Sequence, residues 1–272
     1  MRACIVKIKI LIFIVSLFLS PAILGQEIID NKATVRAEYH FIYKCDSTLT
    51  KYENDIFYLD ICKKGQSFFY SKKNYDRDSV KRTLLNDGLT PIEVMEKIRG
   101  IPRGLTWSTN KQFINNNCVY HNKMMTRVFF AEFPLHLPKW TILQDTLIIN
   151  SYVCKKAVAQ FMGRKWTAWF TTDITINDGP WLLWGLPGFI MQAYDSNRYF
   201  IFECYNIGRL TIPYAVLGAQ DFYITKSMTL QQFLKAEKLF YEDPISFPDM
   251  YIGGRTMDDV KKIKRKYIPF IL

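Results

Sequence analysis

Short stretches in which apolar and polar side chains alternate recur roughly every ten residues along this chain, with Asn, Asp and Gly between them. A period of two turns one side of a strand inward and leaves the other polar, so the pattern specifies an all-β core. From Ala33 to Cys45, the residues Val35, Ala37, Tyr39, Phe41 and Tyr43 fall on one side, and Arg36, Glu38, His40 and Lys44 fall on the other. Asp55–Cys62 and Gln66–Tyr70 flank Lys63, Lys64 and Gly65, the arrangement of a hairpin with a short glycine-containing loop. Strand-like segments resume at Lys111–Ile114 and recur through Thr126–Phe133, Tyr152–Phe161, Lys165–Thr172, Phe189–Tyr194 and Tyr199–Ile207. With 16 Tyr and 20 Phe the chain also carries the rings that pack well across a pleated surface.

Helical patterns are few. Pro91–Arg99 follows Thr90, with Glu93 at capping-box distance, inside a polar excursion from Asn74 to Gly100. Thr229–Tyr241 opens on a second box, Thr229 with Gln232, and gathers Leu230, Phe233, Leu234 and Leu239 on one face. A basic run, Lys261, Lys262, Lys264, Arg265 and Lys266, follows Asp258 and Asp259 at the spacing of an amphipathic end-helix. Its apolar sequel Tyr267–Leu272 is able to tuck against the body. The expected fold is mainly β: a strongly curved antiparallel sheet or half-barrel with two or three peripheral helices, forming a single domain over residues 26–272.

The start of the chain has a separate logic. Arg2, Lys7 and Lys9 precede an apolar run from Ile10 to Leu19, broken only by Ser16 and followed by Ser20, Pro21 and Gly25. That is the tripartite pattern of a secretory signal peptide over residues 1–25, with cleavage between Gly25 and Gln26. The uncharged stretch falls short of the roughly 20 residues a spanning helix needs, so no transmembrane span is expected after cleavage. The processed chain, with 33 Lys and Arg against 25 Asp and Glu, remains basic. An exported basic protein meets anionic headgroups, envelope polysaccharide and acidic partners first, so no specific nucleic-acid contact is expected. Cys45, Cys62, Cys118, Cys154 and Cys204 form no C-x-x-C pair and match no zinc spacing. Cys45 and Cys62 either bridge a hairpin or stay reduced.

One segment departs from strand regularity. Pro180 and Pro187 remove backbone donors while Gly179, Gly185 and Gly188 supply permissive backbone, so Asp178–Gly188 is a non-regular crossover between strands. Trp181, Leu182, Leu183, Trp184 and Leu186 ride on it, and so many large apolar groups must cover something apolar. The crossover is either a plug for the end of the core or one wall of a ligand groove. In the second case Trp166, Trp169, Trp181, Trp184 and Phe189 form the ligand or partner surface, although Trp166 and Trp169, three apart on a strand, face opposite sides.

This region resembles the GLPGLI family of exported Bacteroidetes proteins. Gly185, Leu186, Pro187, Gly188, Phe189 and Ile190 stand where the family motif stands, with Phe189 in place of its second Leu. Cys154, Lys156 and Ala157 match the family's C-x-K-A, Gly163 and Arg164 its G-R, Ala168, Trp169 and Phe170 its A-W-aromatic, and Gly179 and Pro180 its G-P. The resemblance implies an envelope location, in the periplasm or on the outer-membrane surface, and a shared fold rather than a reaction.

Catalytic patterns are thin. His40, His121 and His136 sit in no H-E-x-x-H, and there is no G-x-S-x-G, so no metal and no cofactor are expected. Glu38 and His40 share a strand face, as an acid/base pair or as ordinary polar alternation. Cys118 or Cys154 with His121 is a nucleophile pair only if the fold joins them. Arg164 suits an ion-pair anchor, and Asp173 and Asp178 suit turn caps. The function expected is a binding or carrier module for a lipid-like or lipoprotein cargo, with its apolar surface near the Trp-rich crossover. The alternatives are an accessory protein to an outer-membrane transporter and an uncharacterised hydrolase. An exposed flat apolar patch favours a protein partner, and a sealed groove favours cargo.

Overall fold

The computed structural model describes residues 32–44, 46–124, 127–215, 225–244 and 266–271. The stretch expected to be a signal peptide, with its Gly25–Gln26 junction, Cys45 of the candidate pairing with Cys62, and the basic run from Lys261 to Arg265 lie outside these residues. Fifteen elements follow in order: β1 (Lys32–Tyr43), β2 (Glu53–Cys62), β3 (Gln66–Ser71), α1 (Lys72–Asn86), α2 (Pro91–Lys97), β4 (Ser108–Gln112), β5 (Asn117–Met124), β6 (Arg127–Pro134), β7 (Thr141–Ile149), β8 (Tyr152–Phe161), β9 (Arg164–Thr171), β10 (Phe189–Asp195), β11 (Phe200–Ala215), β12 (Thr225–Met228) and α3 (Leu230–Glu242).

The twelve strands form one open sheet ordered β12-β6-β5-β4-β3-β2-β1-β11-β10-β9-β8-β7. Every neighbouring pair is antiparallel except β12 with β6, which makes the sheet mixed rather than wholly antiparallel. Two meanders, β1 to β6 and β7 to β11, are joined where β1 pairs with β11. The sheet is strongly bent. Phe69 on β3 and Phe202 on β11 have ring centroids 5.7 Å apart although β2 and β1 lie between them. Flat strands about 4.8 Å apart would separate those positions by about 14 Å. The trough so formed is filled by the inward set of the alternating pattern, including Tyr39, Phe41, Phe57, Phe69, Tyr120, Trp166 and Phe202, all buried.

Both expected capping boxes are present, at Thr90 with Glu93 and at Thr229 with Gln232. Helix α1 is additional to the sequence expectation. Its sequence has no apolar stripe, and its one buried residue is Arg77, whose guanidinium donates to the carbonyls of Ile98 and Ile101. Ser71 caps its start, accepting from Asn74 N at 3.1 Å while donating to Asp55 at 2.7 Å. The C-terminal segment does tuck in. Phe270 enters an aromatic cup of Phe41, Trp107, Trp181 and Phe200, with centroids 5.6, 4.9, 5.4 and 3.9 Å away. No helix among the described residues is long and apolar enough to cross a membrane.

Candidate functional site

Between β9 and β10 the chain dives into the trough. Lys111, on β4 and fully buried, donates to the Asp178 carboxylate and, at 2.6 Å, to Gly179 O. Asp178 therefore does more than cap a turn: it is half of a buried ion pair that fastens the crossover to the far meander. Beyond it Trp181, Leu182, Leu183 and Leu186 are buried, with Trp181 5.4 Å from Trp166 and 6.1 Å from Phe161. Gly188 sits at φ +147°, and a Cβ there would lie 2.0 Å from Thr171 O. Only glycine lets the crossover rejoin the sheet at that point. The inner part of the motif is thus a plug.

The five aromatic residues expected to share one surface are dispersed. Trp166, Trp181 and Phe189 are inside the core. Trp169 faces the other side of β9, with the Lys156 ammonium 5.7 Å from its ring. Trp184 stands at the rim. Of the other motif positions, Ile190 is buried and Pro187 exposed. Buried Cys154, Ala157 and Ala168 supply small side chains under the plug, Ala157 pairing with Ala168 across β8 and β9. Gly163, at φ +79°, turns β8 into β9. Arg164 is an ion-pair anchor, donating to Asp195 at 3.0 Å and to Phe270 O at 3.2 Å, so it clamps the C-terminal segment.

Around Trp184 the rim collects residues from three separate turns. Its indole N–H donates to His136 O at 3.0 Å, and its own carbonyl accepts the indole N–H of Trp140 at 2.8 Å. Both polar handles are consumed by backbone, which fixes the rings and leaves apolar surface outward. Phe113 packs on Trp184 with centroids 5.1 Å apart. Leu137 lies over Gly185, where a Cβ would come within 2.1 Å of the Leu137 side chain. Leu137 is 57% exposed and Ile114, beside Phe113, is 78% exposed. Phe113, Leu137, Trp140 and Trp184 thus make an apolar patch held by fixed hydrogen bonds, while Ile114, next to Phe113 in the chain, lies over Gly65 of the β2–β3 turn. The sequence carried a signal for it: Phe113 and Ile114 precede Asn115–Asn117, and large apolar residues at a turn have no core of their own to enter.

The other chemical candidates stay apart. On the outer sheet face Glu38 accepts from Tyr205 Oη at 2.7 Å and from Asn206 Nδ2 at 2.9 Å, while His40 lies against the Tyr205 ring, 4.3 Å between centroids. Glu38 is engaged by these two donors, and the group stands on an open face rather than in a cleft. Burial pushes the thiols of Cys118 up to about 12 and Cys154 up to about 11, and holds His121 down to about 4. A thiol that resists ionisation is a poor nucleophile, so these residues form no activated pair. Among the described residues no three His, Cys, Asp or Glu side chains gather as metal ligands. A small cavity of about 50 Å³ lies beside Phe41, Trp107, Phe200 and Glu237, well below the 300 Å³ or more of ordinary ligand sites.

A family model described as a protein of unknown function (Porph_ging) matches residues 162–192, which span the β8–β9 turn, β9, the crossover and the first residues of β10. No curated relative matches the sequence. Two solved structures of PNGF-II, in C2 and P21 space groups, are similar at 12% and 13% identity, each with a TM-score of 0.48. They cover 74% of this chain, and the chain spans about a third of their length, 32%.

Proposed function

We propose that this protein is an exported envelope module that binds a protein partner through the Trp184 rim. The observation that carries the reading is the apolar patch itself: its aliphatic member Leu137 is more than half exposed, and its two Trp residues are locked by backbone hydrogen bonds rather than left to collapse. Fixed aromatic anchors that are partly open to solvent are the kind of residues that dominate protein interfaces. A lipid-like cargo fits the geometry less well, because Trp166 and Trp181 are sealed in the core and the plug occupies the space a carrier would offer. An accessory role beside an outer-membrane transporter is the form of this function most consistent with the basic charge and the leader-like N-terminus.

A photo-crosslinking side chain placed at Leu137 in the native envelope tests it. A discrete adduct identified as one membrane protein, and absent when the probe sits at exposed Leu49, is the expected result. A lipid adduct would return the carrier reading, and no adduct at Leu137 would defeat both.

A further inference from the structure

The two edges of the sheet are finished differently. β12, at one edge, is four residues long, and α3 packs beside it and β6. A very short strand next to a helix is one of the ways natural sheets blunt an edge. β7, at the other edge, is nine residues long, and seven of them are exposed, Ile142, Leu147 and Ile148 included. Its protection is confined to the middle, where a register irregularity between Ile142 and Thr146 surrounds Asp145, the single charge on the strand, which faces Lys156 at 3.6 Å. Beyond that point residues 146–149 pair regularly with 152–155 and carry no Lys, no Pro and no bulge. Ile148 is 71% exposed, and Val153 opposite it is exposed as well.

The hairpin geometry says which backbone atoms are open. Asn150 and Ser151, at φ 49° and 69°, are the two central residues of a type I′ turn, so Ile149 and Tyr152 form its hydrogen-bonded closing pair. Hydrogen-bonded and non-hydrogen-bonded pairs alternate along an antiparallel ladder, so the N–H and C=O of Ile148 and Thr146 point away from β8. Among the described residues no backbone hydrogen bond from a turn or loop meets them. A row of donors and acceptors at strand spacing is matched by another extended polypeptide. The edge is also continuous with the rim, since Trp140, tied to Trp184 O, is followed directly by Thr141, the first residue of β7.

Resting on the protein-partner reading above, we propose that the partner docks by adding a strand to β7. An extended segment of it hydrogen-bonds to the outward backbone groups of Thr146 and Ile148, and the same segment continues onto Leu137, Trp140 and Trp184. From Trp140 to Ile148 is at most roughly 26 Å at about 3.3 Å per residue, so about eight residues of partner reach both ends. The edge also sets the chemistry of that segment. Its side chains lie beside Ile142, Leu147 and Ile148, and the one acid is already paired, so the partner strand is uncharged and apolar at alternate positions. A second copy of this chain fits less well, because pairing β7 with β7 would bring together two molecules that each carry a large excess of basic residues.

The test uses the full chain in its native envelope, with a photo-crosslinking side chain at Thr146 or at Leu137. One adduct of the same mass from both positions is expected. With the probe at Leu137, Ile148→Pro deletes an outward N–H, leaves the β8 ladder intact, and should lower the adduct yield about tenfold at unchanged melting temperature. Ile148→Ala keeps that N–H and should lower the yield far less. If Ile148→Pro melts early, Thr146→Pro deletes the other outward N–H; if both melt early, the Thr146 adduct decides alone, since that probe alters no backbone group. An adduct at Leu137 with none at Thr146 would overturn strand addition and leave the rim reading standing, whereas no adduct at either position would defeat both. Strand addition is also overturned by a Thr146 adduct at twice the mass of the chain, which marks a second copy, by a lipid adduct there, or by a Leu137 adduct indifferent to proline.

Discussion

Replacing Lys111 by Met removes the ammonium from the buried pair with Asp178 and leaves a side chain of similar length. The Asp178 carboxylate then keeps only the Gly179 N–H, at 2.7 Å, on one oxygen; its other oxygen is buried and accepts no hydrogen bond. Gly179 O loses its 2.6 Å donor too. Breaking one side of a fully buried ion pair strands the remaining charge, and the loss is about 3 to 5 kcal/mol. Against a domain stability of about 5 to 15 kcal/mol, that is about a fifth of the total or more. The double variant Lys111→Met, Asp178→Asn removes both charges but retains an oxygen for the Gly179 N–H, so it should recover to within about 1 kcal/mol of the parent. Urea unfolding followed by Trp fluorescence measures all of these forms, with the single Asp178→Asn completing the cycle. A loss below about 1 kcal/mol for Lys111→Met, or a double variant as unstable as the sum of the singles, would refute the view that this pair fastens the crossover.

Two further outcomes follow from burial. Trp181→Ala should cost about 3 to 5 kcal/mol because the ring lies wholly in the core, while Trp184→Ala should cost clearly less and weaken partner capture at the rim instead; equal losses in denaturant unfolding would contradict the division into plug and patch. His121 is kept neutral in the fold, down to about 4, whereas an unfolded His titrates near 6.5. The unfolded chain therefore takes up the proton first, so this contribution is intact above about pH 6.5 and about 3 kcal/mol is lost as pH falls toward 4. Thermal melts of the parent and of His121→Phe across that window should diverge, and parallel curves would sink the assignment.

Much of the sheet was legible because alternation is local. Ala37, Tyr39 and Phe41 take the core side, and Arg36, Glu38 and His40 the other, as the period of two requires. The two capping boxes were legible for the same reason. Helix α1 was not, since its inner contact is a guanidinium on carbonyls rather than an apolar stripe. The plug was foreseeable from Pro, Gly and Trp crowding. Its fastening was not, because Lys111 and Asp178 are 67 residues apart, and a lysine in a strand reads as a solvent-facing residue until the fold encloses it. The rim was only half visible: Trp184 was marked, but Phe113, Leu137 and Trp140 come from turns whose meeting no short-range pattern records.

The seam between β1 and β11 sets an order on folding. Each meander closes by pairing strands near in sequence, whereas this seam joins Lys32 to Ala215 and Tyr43 to Phe200. Loop closure over so long a span is entropically costly, so it is a late and slow event. Until it happens, two half-sheets each present a long unpaired edge, one along β1 and the other along β11, and such edges recruit whatever strand is near. A population caught at that stage would pair between molecules, exchanging halves instead of joining its own. Yield on refolding should therefore fall steeply with protein concentration, even though the finished sheet has hidden both of those edges.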